Sequence, residues 1–552
     1  EGTSPPRGAV VEREPAAVGF AFSEPVEGNF GAVRVYDAGG GRADEGTAFH
    51  PGGDEARIGV RLRPGLADGT YTATYRVVSA DSHVISGGFV FSIGAAGAPP
   101  RETVAELLGD SGAGPVAEAA FGVARGLLYT AIALGVGGFA FLLLAWLPAL
   151  GAAGRPGETW DAARAAFLGR LRAALLLAAG LGALGAAGGV VMQGAEAAGV
   201  SGFSALRWSI AGETLGTRFG TAWGLAALAS LGLGAIAALA LRPASGERPR
   251  PWALALLAAP LAFLALVPAL GGHPSVQSPV ALNFSANVIH VAAMAVWLGG
   301  LAALLFLVPA ATRRLEVADR SRLLAAVLAR FSQVALVAVA AVLLTGLVQA
   351  YVYVRDPADL LDTAYGRAVL VKFLLLLATI AVAAYNRRRS VPRLNRIAAG
   401  GEAPGRAGLL LRRALRAEVA LLLVVVGVTA ALAAYAPPIS VQAGPYSGEA
   451  TACPARLEMI VDPARTGSNQ VHLYLFDART GAQLRAAKEV TLTAALPDQD
   501  IGPLPLDLRP SGPGHFIAPA AALGIAGDWT LLVTVRVSAF DQFEEPFEVP
   551  IG

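Results

Sequence analysis

The 552-residue chain is 54% hydrophobic and only 15% charged, with a mean hydropathy of +0.54. A soluble protein of this length carries about a quarter charged residues, so an ordinary soluble globule is excluded. The net charge of +2 gives no reason to expect a nucleic-acid partner, and a single cysteine, Cys453, excludes both an intramolecular disulfide framework and a CxxC metal site.

Residues 1–96 alternate apolar and polar with period two. Short strands are predicted at residues 18–22, 33–36, 59–62, 71–75 and 89–91, separated by Pro25, the glycines at 39–41, Pro51-Gly52-Gly53, Pro64-Gly65 and Asp68-Gly69. Short alternating strands at this spacing predict a small all-β sandwich or barrel. A linker over residues 97–119, rich in Gly, Ala and Pro at its start, leads into the apolar part of the chain.

That part, residues 120–437, predicts eight membrane spans. No charged residue occurs between Pro251 and Thr312, far more than the roughly 20 residues one span needs. The run breaks at Gly271-Gly272-His273-Pro274, which predicts two helices joined by a polar loop. Further uncharged runs cover residues 126–154, 173–195, 219–241, 331–354 and 419–435, and one at 368–386 is interrupted only by Lys372.

Arginine sets the expected orientation. Taking alternate loops, one set holds 21 arginines, among them Arg164, Arg170, Arg313, Arg314 and the cluster Arg387-Arg388-Arg389, whereas the opposite set holds only Arg207, Arg218, Arg355 and Arg367. The positive-inside rule then places both chain ends, and the loop bearing His273, outside the cytoplasm of a cell membrane. The chain begins at Glu1 without a signal-like segment, so a removed signal peptide is expected. Residues 438–552 return to period two, with strands predicted at 457–461, 471–476 and 529–535, and read as a second all-β sandwich.

Six histidines are present: His50, His83, His273, His290, His472 and His515. None falls in the arginine-rich loops. Asp81 and His83 lie two apart just before the strand at 88–91, so at a strand end they would point to one side. A carboxylate and an imidazole so placed suit Cu(II). On spacing alone, a turn carboxylate beside a surface histidine stands ahead of that reading.

The run Tyr75-Arg76-Val77-Val78-Ser79-Ala80-Asp81-Ser82-His83, with Ser4-Pro5-Pro6 and residues 20–26 (FAFSEPV), closely resembles the CopC family of extracytoplasmic copper-binding β-barrels over residues 1–94. The resemblance implies Cu(II) held by an Asp-x-His pair, which Asp81 and His83 match, together with an N-terminal histidine that does not occur here. The family's methionine-rich Cu(I) loop is also missing, since the first methionine is Met192. His50, in a Pro-Gly-rich turn, is a substitute ligand to consider.

Within the spans, His290 and Met294 are i, i+4 on one helix face. An imidazole in the outer half of a span is costly unless it has a partner or lines a path, and imidazole with thioether suits Cu(I). The plain alternatives are a hydrogen bond from His290 to a neighbouring helix and Met294 as core filler. The stretch Asn287 to Leu301, with Gly272-His273 and residues 216–220 (GTRFG), resembles CopD, the eight-span copper-uptake protein often fused to CopC, over residues 120–436. His273, His290 and Met294 are the candidate metal residues there, and Gln193 and Met192 weaker ones. Gly185, Gly189 and Gly299-Gly300 read as close helix contacts. The C-terminal domain resembles the YtkA-like sandwich through residues 467–473 (GSNQVHL) and Gly527-Asp528-Trp529. His472 should lie on the face opposite Val471 and Leu473. Cys453, Met459, His472 and His515 have a spacing that fits no compact metal motif, so they read as scattered.

The expectation is therefore a multidomain membrane protein. An N-terminal β domain, an eight-helix bundle and a C-terminal β domain capture copper outside the cytoplasm and pass it into or across the membrane. Copper-handling proteins are possible partners besides the copper ion and the lipid bilayer. No GxxxxGK[ST] motif or catalytic triad is evident, so no enzyme is expected. The alternatives are a membrane haem or redox protein with His273 and His290 as axial ligands, and a non-transporting scaffold for copper-handling partners.

Overall fold

The computed structural model describes the chain apart from residues 1, 7–8, 23, 29–30, 81, 95–106, 109–112, 201–205, 242–248, 355–356, 400–404, 434–445, 453–454, 463, 480–483, 485–486, 513 and 552. Glu1–Gly112 with Ser440–Gly552 make one unit, and Ala113–Ile439 the other.

The N-terminal strands are β1 (Gly2–Ser4), β2 (Val10–Val11), β3 (Ala17–Ala21), β4 (Val26–Glu27), β5 (Val33–Asp37), β6 (Asp44–Phe49), β7 (Arg57–Leu62), β8 (Gly69–Ser79) and β9 (Val84–Ile93). One sheet runs β1-β3-β7-β6. The other runs β2-β9-β8-β4, with β5 also paired to β8. Alternation does what period two requires: Val18 and Phe20, Val33 and Val35, and Phe89 and Phe91 point into one core with Ile58, Val60 and Ala73.

β6 has no apolar alternation and was not predicted. What holds it is polar. Asp44 is fully buried, and its Oδ2 accepts the Val35 amide and Arg42 Nε, each at 2.8 Å. Burial alone would raise this carboxyl. The hydrogen bonds from Arg42 and Val35 outweigh it and hold the group below its ordinary range.

Among the described residues, eight helices are long and apolar enough to cross a membrane. They are α1 (Pro115–Ala153), α2 (Glu158–Ala198), α3 (Arg218–Ala240), α4 (Pro251–Leu270), α5 (Val280–Thr312), α6 (Val317–Tyr353), α7 (Ala364–Arg389) and α8 (Gly408–Leu432). Their core is Leu, Ala, Phe and Trp, with Trp146 stacked on Phe167 at 4.0 Å.

α1 and α5 cross backbone to backbone. A Cβ on Gly137 would lie 2.0 Å from the Ala295 carbonyl oxygen, and one on Gly299 would lie 2.1 Å from that of Ala133. Only glycine permits this approach. Gly185 meets the backbone of Ala124 and Leu128, and Gly189 meets the Trp223 ring. Beyond the crossing, α1 and α5 each contain one wide π turn, Leu142–Trp146 and Ala303–Leu307, followed by Pro148 and Pro309. In each helix the residue four before the proline lies inside the wide turn, where the ring would otherwise meet its carbonyl.

The C-terminal strands are β10 (Tyr446–Ala452), β11 (Ala455–Asp462), β12 (Gly467–Asp477), β13 (Glu489–Leu496), β14 (Ile501–Leu506), β15 (Arg509–Gly512), β16 (His515–Leu523), β17 (Gly527–Arg536) and β18 (Gln542–Ile551). They form sheets β10-β11-β12-β16-β15 and β14-β13-β17-β18 around Leu457, Met459, Val471, Leu473, Trp529, Leu531 and Val533. The C-terminal strands predicted from sequence all occur, each somewhat longer than its apolar run.

Candidate functional site

Asn287, His290 and Met294 recur at three- and four-residue spacing on α5, which puts them along one side of the helix. His290 faces α6. Its Nδ1 lies 3.0 Å from Thr345 Oγ1, and that hydroxyl donates to the Ala341 carbonyl of its own helix at 2.6 Å.

The tautomer follows from these two bonds. The Thr345 hydroxyl hydrogen points to the carbonyls of Ala341 and Val342, which leaves its oxygen to accept from His290 Nδ1–H, and His290 also bonds the Val342 backbone. Nε2 then carries the imidazole lone pair. Gly346, next to Thr345, backs the ring: a Cβ there would sit 3.5 Å from His290 Cε1.

The polar seam continues along the helix pair. Asn287 Nδ2 donates to Gln349 Oε1 at 3.2 Å, and Gln349 Nε2 donates to the Thr345 carbonyl at 3.2 Å. Lys372, half-buried on α7, acts electrostatically on His290. Met294 is half-buried one turn along α5 and packs against the apolar core.

His273 stands in a single 3-10 turn, His273–Ser275, between α4 and α5, with its ring 6.0 Å from that of Tyr353. Tyr353 ends α6, eight residues past Thr345, which is about 12 Å at 1.5 Å per residue. The two membrane-side histidines therefore mark different depths on α6. Gln193 is buried on α2, and Met192 packs beside Ala113, Ala117 and Ala195.

In the N-terminal domain His83 lies in the connection between β8 and β9 rather than in a strand, because β9 begins at Val84. Its carbonyl accepts the Ser79 amide at 2.8 Å, and Ser82 beside it takes φ +76°. The period-two argument for Asp81 and His83 therefore does not apply, since it needs extended backbone. Asp81 and Cys453 lie outside the described residues. His50 Nδ1 is 2.7 Å from the Arg57 carbonyl, which commits that nitrogen to donation.

In the C-terminal domain two histidines read as scattered come together. His472 on β12 lies, as alternation predicts, on the face opposite Val471 and Leu473, with its Nδ1 3.1 Å from Nε2 of His515 on β16. Tyr474 stacks on the His515 ring at 4.4 Å. Met459 points into the sandwich core instead. Among the described residues, no cluster of three or more His, Cys, Asp or Glu is placed to hold a metal ion.

Comparison with known proteins bears on these sites. Residues 1–94 match the CopC domain, residues 116–280 the Copper resistance protein D-like N-terminal domain, and residues 325–432 Copper resistance protein D. The chain is 28% identical over 504 residues to the copper transport protein CutJ of Bacillus subtilis, covering 89% of this chain and 84% of that one. CopC from Methylosinus trichosporium is similar at 24% identity, over 18% of this chain and 92% of its own, with a TM-score of 0.15. PcoC, a methionine-rich copper resistance protein from Escherichia coli, is similar at 25% identity, over 17% and 94%, with a TM-score of 0.15. The chain thus carries a CopC domain at its N terminus and Copper resistance protein D regions in its membrane unit.

Proposed function

We propose that this protein takes up copper outside the cytoplasm and passes it inward through the eight-helix unit. The observation that carries the reading is the His290–Thr345 pair. A hydroxyl on α6 fixes the imidazole on α5 with its Nδ1 hydrogen outward and its Nε2 lone pair available, the arrangement metal-ligating histidines adopt. A thioether one turn along the same helix supplies a second soft donor, so the ion held there is Cu(I).

His273 stands at the mouth, by Tyr353, as the first contact for an incoming ion. Asp81 and His83 hold Cu(II) in the CopC domain, tightly when a histidine precedes Glu1. The excess of arginine in alternate loops puts both β domains outside. The C-terminal one is read as a YtkA-like module. Lys372 has a role that no ligand plays: a positive group acting on His290 weakens the hold on a cation, which favours release over storage.

The test is copper uptake into sealed vesicles of defined orientation. His290→Ala should abolish it at equal expression and with normal membrane insertion. Uptake like that of the parent would make the histidine structural and the path wrong. Orientation is tested separately: Gly40→Cys in a Cys453→Ser background should react with an impermeant thiol reagent in intact cells, and labelling only after lysis would reverse it.

A further inference from the structure

At the arginine-rich end of the bundle two polar side chains are buried as deeply as the core. Glu418 on α8 keeps 2% of its exposure, and Asn386 near the end of α7 keeps 6%. Asn386 Nδ2 donates to Glu418 Oε1. Glu418 stands in the buried stripe of Leu415, Leu422 and Val425, at the three- and four-residue spacing that turns one side of α8 inward. Packing alone would be met by a leucine there.

Cations are numerous nearby, yet none answers this carboxylate. Arg412, Arg413 and Arg416 are exposed on the other side of α8 from the stripe. Tyr385, Arg388 and Arg389 around Asn386 are exposed as well, and so are Arg393 and Arg396 on the short helix Val391–Ala399. Arg387 turns to α6, where its Nη1 donates to the carbonyl and the hydroxyl of Ser332 at 2.7 and 2.6 Å. α1 and α5 also pack on α8, but α1 beyond Tyr129 and α5 beyond His290 carry no titratable group. Among the described residues, the Asn386 amide is the one group that meets Glu418.

α7 links this pair to the histidine. Lys372, Thr379 and Asn386 stand seven residues apart, so they follow one face of the helix with a drift of about 20° per step. Lys372 is the group that acts on His290, and Asn386 lies about 21 Å further along at 1.5 Å per residue. An ionised carboxylate out of water is costly unless a cation or a proton meets it, and a neutral amide supplies neither. Ionisable side chains inside a membrane bundle mark the routes of ions and protons.

We propose that Glu418, supported by Asn386, is the inner station of the copper path, occupied in turn by the copper ion and by a proton. The station rests on the transport reading above. Its exchange balances in charge. As an ion arrives from the side of His290, the carboxyl proton leaves to the nearer water, at the arginine-rich end. As the ion departs to that side, a proton from it returns. Oxygen is a weaker donor to Cu(I) than thioether or imidazole, which suits a site the ion leaves.

The experiment measures copper uptake by the full chain in sealed vesicles of defined orientation. The pH at the arginine-rich face is varied, the pH at the other face is held, and the membrane potential is clamped. The carboxyl must lose its proton before each ion arrives, so raising the varied pH by one unit should speed parent uptake several-fold, about tenfold at most. Glu418→Gln keeps the shape and the acceptor for Asn386 and removes the charge and the proton. It should cut uptake about tenfold and abolish the response to that pH, whereas a merely structural hydrogen bond would survive the change. Parent uptake indifferent to that pH, or a glutamine variant that follows the parent at every pH, would overturn the station and leave His290 untouched. No copper uptake by the parent at any pH would overturn the transport reading and the station with it. If Glu418→Gln does not insert, the response of the parent to pH decides.

Discussion

His290 in the bundle and His472 in the C-terminal sheet satisfy their imidazoles by different means. His290 bonds to a hydroxyl from a neighbouring helix, and that hydroxyl is itself anchored to a carbonyl of its own helix. His472 bonds to a second imidazole across two paired strands, where either ring can be the donor. The helix pair therefore dictates one tautomer and leaves a defined lone pair, whereas the strand pair leaves the proton shared between two rings.

The contrast is broken most directly at Thr345. Thr345→Val keeps the shape and removes the acceptor, so copper uptake should fall about 10- to 100-fold, with Thr345→Ser restoring it. If uptake survives in the valine variant, the tautomer is not fixed by α6. Lys372→Met comes next. Removing the positive group near His290 should raise copper retention about fivefold while slowing turnover, as read by copper release after preloading.

On the sheet side the sharper test is pH. The folded protein keeps His515 neutral well below its ordinary pKa, so protons bind the unfolded chain more readily. The stability this contributes is present above the unfolded value of about 6.5 and is lost as pH falls below it towards the folded value. Hydrogen exchange on β12 and β16, corrected for intrinsic rate, should accelerate between pH 7.5 and 5.5 in the parent and less in His515→Gln. The smallest effect belongs to Met294→Leu. It conserves volume at a stability cost below about 1.5 kcal/mol, so any loss of uptake reports the thioether alone.

How far these features were legible differs by element. The spans follow from charge-free runs, and the strands carrying Val18, Phe20, Leu473 and Val533 follow from alternation, because burial leaves a period in the sequence. β6 left none, since its anchor is a carboxylate answered by an arginine two residues back and an amide nine residues back. His290 and Met294 were visible as a helical pair, but Thr345 was not, since a threonine 55 residues away carries no mark of its partner. His472 and His515 are 43 residues apart, and only the register of β12 on β16 brings them together. The tight connection at His83 hid behind the same alternation that located its strands.

The reciprocal glycine contact has a further consequence. Gly137 meets the turn of Ala295 as Gly299 meets that of Ala133, and each glycine precedes a wide turn and a proline. That is the signature of local twofold symmetry between α1 and α5. Counting back nine residues from each glycine gives His290 on α5 and Leu128 on α1, and counting back five gives Met294 and Ile132. Leu128 is fully buried in the apolar core. The two helices are thus alike in construction at their crossing and unlike one to two turns before it: α1 carries Leu128 and Ile132 where α5 carries His290 and Met294. On the proposed reading copper meets the α5 side of this crossing alone, so substitutions at Leu128 or Ile132 should trouble packing without lowering copper uptake per folded protein.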